Sequence, residues 1–344
     1  MKTPLSENDV QIPSLLLEHW NLRVTGIAFI PMGDSAYSYK IEVHPQSTYY
    51  LKIVDQRTAV GRRTAAHMEF SLPFQRLVAG NQFPGIAAPQ PQTTIQGTLY
   101  AVHDSWLLAL YTFIPGDTLA DAYPMSPDLI KQIGQALGAL HTVQLPESLC
   151  QWSPQDNLTA PFDDDLLADL ASLAHISTRD AFYLQRLREL IWPRREEIRA
   201  FLAHSQEYEA KARRTEVPLV ACHGDAWGGN MILTPAGQLV LLDWESSVIA
   251  PPERDAFLYG ADFAAFDAGY HLIHKEPMRW HANWLAFYGY RIQLRNLAQW
   301  LHNLLHENLD EAQRENDLAM LGFHCLDRLK GVERTASELV ASLT

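Results

Sequence analysis

The stretch that most restricts the fold is "CHGDAWGGNMILTPAGQLVLLDWE", from Cys222 to Glu245, a strand-like island in an otherwise helical C-terminal part. Met231 to Leu233 and Leu239 to Leu242 read as two short apolar strands, with turn residues Thr234 to Gln238, including Pro235 and Gly237, between them. A hairpin returns its chain to its starting edge. Asn230, entering the first strand, and Asp243, leaving the second, therefore become neighbours although thirteen positions separate them. Asp225 lies just upstream on a loop opened by Gly228 and Gly229, so three oxygen-bearing side chains are predicted to converge at one rim.

The remainder divides by texture. "AYSYKIEV" (36–43), "TYYLKIV" (48–54) and two runs within "GTLYAVHDSWLLALYTF" (97–113) are strand candidates, and a helical segment over 62–77 carries Pro73. After "IPGD" (114–117) the pattern turns to long amphipathic helices over 127–143, 166–203, 280–307 and 310–343. The reading is α+β: a small antiparallel-sheet lobe over residues 1–113 joined to a larger, mainly helical lobe over 114–344.

Charge and cysteine content exclude several roles. Lys and Arg number 27 against 40 Asp and Glu, a formal charge of −13, which is the wrong sign for wrapping nucleic acid. Three scattered cysteines suggest neither a disulfide framework nor a zinc ribbon. The N-terminal segment lacks an apolar signal core and no run is long enough for a bilayer, so a cytoplasmic protein without a membrane partner is expected.

The rim suits phosphoryl transfer, which needs a group to accept the attacking hydroxyl's proton and hard oxygen ligands for magnesium. Asp225 is the candidate base, and Asn230 and Asp243 are the candidate metal ligands. The Asp225-to-Asn230 spacing equals that of the protein-kinase catalytic loop, with Gly224 where that loop has arginine.

"HGDAWGGN" and "LLDWE" closely resemble the signature of the aminoglycoside phosphotransferase family, and "APPERDAFLYG" (250–260) resembles its spectinomycin-phosphotransferase-like members. The resemblance implies a bilobal, protein-kinase-like fold over nearly the whole chain. It also implies magnesium-dependent transfer of the γ-phosphate of ATP or GTP to a hydroxyl of an aminoglycoside- or aminocyclitol-like acceptor. Lys52 would then pair with the nucleotide's phosphates, with Glu69 as its helical partner. Gly33 and Ser35 would lie in the phosphate-covering turn, and backbone groups of Thr112 and Ile114 would read the base. Tyr111 would border the adenine pocket, and its bulk leads to the expectation that GTP serves at least as well as ATP. His223 and Asp255 would brace the catalytic loop.

Acceptor candidates among the acidic residues are Asp163, Asp164, Asp165, Asp267 and Glu276. Arg295 and Asn296 stand where the spectinomycin-type relatives carry an acidic pair, a departure that argues against a polycationic acceptor. Two other readings stay open: a metabolic kinase for an amino alcohol, homoserine or a sugar, and a nucleotide-binding module without catalysis. The role in antibiotic resistance or in metabolism, and the oligomeric state, are left open by the sequence.

Overall fold

The computed structural model describes residues 3–6, 10–33, 36–81, 83–156, 158, 162–274 and 278–343. By compactness the chain forms two units, Met1–Gln155 with Val220–Ala250 and Ala264–Glu276, and Asp156–Leu219 with Pro251–Phe263 and Pro277–Thr344.

In the first unit, helix α1 (Ile12–Trp20) precedes strands β1 (Val24–Ile30), β2 (Tyr37–Val43) and β3 (Ser47–Asp55), then helix α2 (Ala59–Gly80). Strand β4 (Ile86–Ala87) stands apart, and β5 (Ala101–His103) and β6 (Trp106–Thr112) complete an antiparallel sheet in the order β1-β2-β3-β6-β5. Four of these strands match the sequence reading. β1, "VTGIAFI", went unrecognised because Gly26 and a half-exposed alternation hide its strand character.

The two-residue period of a strand sorts the side chains onto two faces. Leu51 and Ile53 of β3 and Leu108 and Leu110 of β6 join a core with α1. Val54 of β3 and Leu107, Ala109 and Tyr111 of β6 face the other way, against Ala65, Met68 and Leu72 of α2. Lys52 shares the parity of Val54, and so belongs to the α2 face. Its cross-strand partner is Ala109, whose small side chain leaves room for the lysine stem. Thr58 caps α2, its hydroxyl accepting from the Gly61 amide at 2.9 Å.

After helix α3 (Pro127–His141), strands β7 (Val220–Cys222), β8 (Met231–Leu233), β9 (Leu239–Leu241) and β10 (Val248–Ala250) follow. β8 and β9 form the expected hairpin, pairing Met231 with Leu241 and Leu233 with Leu239. Its turn is closed by Gly237 N–H donating to Thr234 O at 2.8 Å. β4 adds to β9 in parallel, Ile86 opposite Leu239, which ties the hairpin to the N-terminal part of the chain. The lobe boundary expected at 113/114 therefore falls inside the first compact unit.

The second unit is helical around one core of Leu166, Leu170, Phe201, Tyr290, Leu297, Leu301 and their neighbours. The single helix expected over 166–203 is three: Asp163–Ser172, Phe182–Ile191 and Arg195–Ala212. Amphipathic period continues across the breaks, but "STRD" folds into a turn in which the Ser177 amide and hydroxyl both donate to Asp180 Oδ2, at 2.7 and 2.9 Å. Among the described residues no helix is long and apolar enough to cross a membrane.

Candidate active site

The segment after β7 is held by its backbone. His223, fully buried, donates from Nε2 to Leu242 O at 2.8 Å and accepts the Asp225 amide on Nδ1 at 3.3 Å. Its ring packs edge-on to Trp244. One histidine thus joins the loop before β8 to the end of β9, the bracing role expected of it. Gly224 has φ +81°, and a Cβ there would lie 2.0 Å from Ser246 O. This loop therefore requires glycine where a kinase loop carries arginine.

Asp225 is partly exposed. Asn230 reaches back to it, Nδ2 donating to both Asp225 O and Asp225 Oδ2 at 2.9 Å. The Leu242 amide donates to Asn230 O at 2.8 Å, the last bond of the hairpin, so Asp243 follows directly beside Asn230. The predicted convergence of Asp225, Asn230 and Asp243 is present in the backbone pairing and side-chain bonds.

Asp243 has φ +59° and ψ +64°, in the left-handed region that a non-glycine residue rarely enters. That bend swings the chain into a 3-10 turn over Trp244–Ser246 and carries Glu245 to the same side as Asp243. Lys52, 7% exposed, donates to Asp243 Oδ1 and, at 2.7 Å, to Glu245 Oε1. Burial pushes the Lys52 ammonium down, but the two carboxylates outweigh it and hold it well above the usual lysine range. Burial likewise works to raise the Asp243 carboxyl, and the Lys52 charge overcomes it, leaving Asp243 below the ordinary aspartate value. For Glu245 the balance goes the other way. Burial and the Asp243 charge beat Lys52 and push the carboxyl up to about 7.

Glu245 is the residue sequence reasoning missed. The signal is the D-x-E spacing of "DWE", legible only once the left-handed bend at Asp243 is known.

Glu69 does not join this group, which corrects its expected pairing with Lys52. It is exposed and accepts from Tyr100 Oη at 2.5 Å. The cause is helical phase: Ala65, Met68 and Leu72 set the buried stripe of α2, and Glu69 stands 100° beyond Met68. It lines a separate cleft with Pro73, Arg76, Leu77, Leu149 and Trp152.

The connector after β6 is placed by register. Phe113 N–H donates to Thr48 O, so Thr112, one residue back, turns its peptide groups away from β3. Its amide goes to Gln90 O at 3.0 Å, and its hydroxyl accepts from the Gln90 amide at 2.8 Å. The Ile114 amide donates to no group among the described residues. Tyr111, 4% exposed, is packed among Val54, Met68 and Leu72 with its ring 6.1 Å from that of Tyr50. Ser35 and Glu276 lie outside the described residues.

The remaining acidic candidates have local explanations. Asp163, Asp164 and Asp165 form the first turn of their helix, where the macrodipole favours carboxylates. Asp267 lies 3.3 Å from His271 one turn on. Phe287, Tyr288 and Tyr290 are buried core.

The pattern of the phosphotransferase enzyme family matches residues 26–259. Protein StrN of Streptomyces griseus is 26% identical over 275 residues, covering 77% of this chain and 79% of that protein. Among solved structures, a spectinomycin phosphotransferase in complex with ADP and spectinomycin superimposes with a TM-score of 0.78 at 18% identity, covering 98% of this chain and 99% of that one. An amicoumacin kinase in complex with AMP-PNP and Ca2+ gives a TM-score of 0.59 at 15% identity, over 95% and 93%. These similarities show a kinase-like fold.

Proposed function

This chain belongs to the phosphotransferase enzyme family, and on that premise we propose that it moves the γ-phosphate of ATP to a hydroxyl of an aminocyclitol- or aminoglycoside-like small molecule, with Asp225 as catalytic base. The observation that carries the reading is the joining of Lys52 to Asp243 and Glu245 beside the Asp225–Asn230 pair. A non-catalytic nucleotide-binding module has no need of that whole set.

Asp225 accepts the acceptor hydroxyl's proton as the oxygen attacks the γ-phosphorus. The bond to the bridging oxygen breaks and ADP leaves. The Asn230 amide holds the Asp225 carboxylate in place and turns its own Oδ1 away from it. Lys52 exchanges its carboxylate partners for the donor's phosphates. The Thr112 carbonyl and the Ile114 amide face the base, and Gly33, with φ +79°, leads into the phosphate-covering segment. Glu69 has no place in this scheme.

The residues present fit magnesium. Two carboxylates converge on a single lysine, and Asn230 Oδ1 adds a neutral hard oxygen, a donor set suited to a small divalent cation. Asn230 and Asp243 would hold it, and it would neutralise charge on the β- and γ-phosphates.

ATP rather than GTP is proposed because Tyr111 is committed to the core against α2 and so does not crowd the base. Structural relatives carrying ADP or AMP-PNP support the same choice. The acceptor is proposed from the spectinomycin-bound relative, with low positive charge because Arg295 and Asn296 stand where an acidic pair would favour a polycation. A panel of aminocyclitols, aminoglycosides, choline, homoserine and sugars, scored by ADP release against an Asp225→Asn control, tests the reading. Turnover of an aminocyclitol or aminoglycoside supports it; turnover of choline, homoserine or a sugar alone favours a metabolic kinase.

A further inference from the structure

In the second unit, far in sequence from the catalytic hairpin, Asp169 is only 6% exposed, on the helix Asp163–Ser172. Two histidines of the helix Ala282–His306 close on it: His306 Nε2 at 2.7 Å from Oδ1 and His302 Nδ1 at 3.5 Å from Oδ2. The three candidate ligand atoms all lie within 4.8 Å of one another. We propose that Asp169, His302 and His306 form a binding site for a divalent transition-metal ion, zinc above all. It is independent of the nucleotide site and of the phosphotransferase reading.

Three observations support this, spacing first. Histidines four apart on a helix present their rings on one face, and here the ring centroids are 4.5 Å apart. Neighbouring donors around a tetrahedral zinc with bonds of about 2.0–2.1 Å are separated by about 3.3 Å. The carboxylate offers one oxygen 2.7 Å from His306 Nε2 and the other 3.5 Å from His302 Nδ1, and the three candidate donors lie within 4.8 Å of one another, so an ion enters by side-chain adjustment.

Charge gives the second support. A carboxylate this buried needs a compensating cation. Among the described residues its side-chain oxygens meet only these imidazoles, which carry no fixed charge. A divalent ion would supply the charge. His306 is also the last residue of its helix, where the macrodipole is negative and favours cations.

Access is the third. The histidine side chains are 45% and 48% exposed, so the site opens to solvent and a fourth position is left for water. Three protein donors of N, N and O type with one open position suit zinc, cobalt or nickel better than magnesium or calcium. The ion would staple the helix Asp163–Ser172 to the end of the helix Ala282–His306.

The test uses the full, untagged chain stripped of metal and titrated with Co2+. One equivalent is expected to produce the intense visible bands of four-coordinate cobalt, bleached by one equivalent of Zn2+. His302→Gln and His306→Gln, which change exposed side chains and leave the core intact, should each weaken binding by at least about 10-fold. The double variant should abolish the bands, while Asp243→Ala should leave them unchanged. Zn2+ should raise the melting temperature of the parent and not of the double variant. Absence of the four-coordinate spectrum in the folded parent, or bands that persist in the double variant, overturns the assignment.

Discussion

Glu245 and Glu253 stand eight residues apart, both carboxyls are pushed up to about 7, and the two shifts have different origins. Glu245 is partly buried beside Lys52 and Asp243, so burial, a like charge and an opposite charge contend over one proton. Glu253 is fully buried with no charged partner among the causes of its shift. Burial raises it, opposed only by backbone donors such as the His281 amide at 2.9 Å, and its Oε2 has no hydrogen-bond partner among the described residues. The same apparent acidity thus marks a cluster of three charged groups in one case and a carboxyl held by backbone donors in the other. A raised acidity alone does not locate a site; the company the carboxyl keeps does.

Removing Asp243 breaks the contrast most completely. Asp243→Ala takes away the proposed charged metal ligand and the like charge that helps raise Glu245. Magnesium-dependent nucleotide binding should be lost and kcat/KM should fall on the order of 1,000-fold. The Glu245 carboxyl should titrate lower, paired with Lys52 alone. Calorimetric titration with magnesium and nucleotide reads the first effect. Binding like the parent's would show that the hairpin holds no metal.

Asp225→Asn sharpens the comparison from outside the cluster. It keeps the shape and the Asn230 contact and removes only the proton acceptor. Turnover should drop at least about 100-fold while nucleotide affinity and the Glu245 titration stay near the parent's. Near-normal turnover in the folded variant would remove Asp225 from the mechanism.

What could be read in advance follows the same divide. The hairpin was legible because two apolar strands and a Pro-Gly turn admit one pairing, and pairing alone places Asn230 beside Asp243. Lys52 was singled out by the family resemblance, and the α2 face it occupies follows from strand parity, which is local. Glu69 misled because an acidic residue in the right helix was weighed without the phase of that helix, although Gly61, Ala65, Met68 and Leu72 already spell the buried stripe. Glu245 was out of reach, since its side depends on a left-handed backbone at Asp243 that no local preference announces. The helix break at Ser177–Asp180 was hidden by apolar spacing that continues on either side.

Glu253 gives the pH prediction. Its folded value, about 7, lies above the ordinary 4.5, so the folded chain holds this proton more tightly than the unfolded one. Its contribution is present below about pH 4.5 and is lost as pH rises through about 7, costing about 3 kcal/mol in all. Glu253→Gln keeps an oxygen for the His281 amide and removes the titration. Denaturant unfolding at pH 5 and pH 8 should show the parent losing more stability across that window than the variant, which keeps only the Glu245 titration. Equal slopes in both would mean that Glu253 is not the group responsible.

The smallest effect concerns the donor base, on the sheet face that Lys52 shares. Tyr111 is opposite Tyr50 in the β3–β6 ladder and packed against Met68 and Leu72. If its ring were a gate, Tyr111→Ala would admit adenine and raise ATP use relative to GTP. A ring committed to the core makes a different prediction. The parent should already prefer ATP, and the variant should lose about 3 kcal/mol of stability through the cavity it leaves. Its ATP-to-GTP ratio of kcat/KM should stay within about threefold of the parent's, because no pocket contact changes between the two donors. Steady-state turnover with each nucleotide, measured in both proteins well below the variant's melting temperature, separates the cases. A parent that prefers GTP, joined to a variant that gains ATP, would restore the gate and place Tyr111 in the nucleotide pocket.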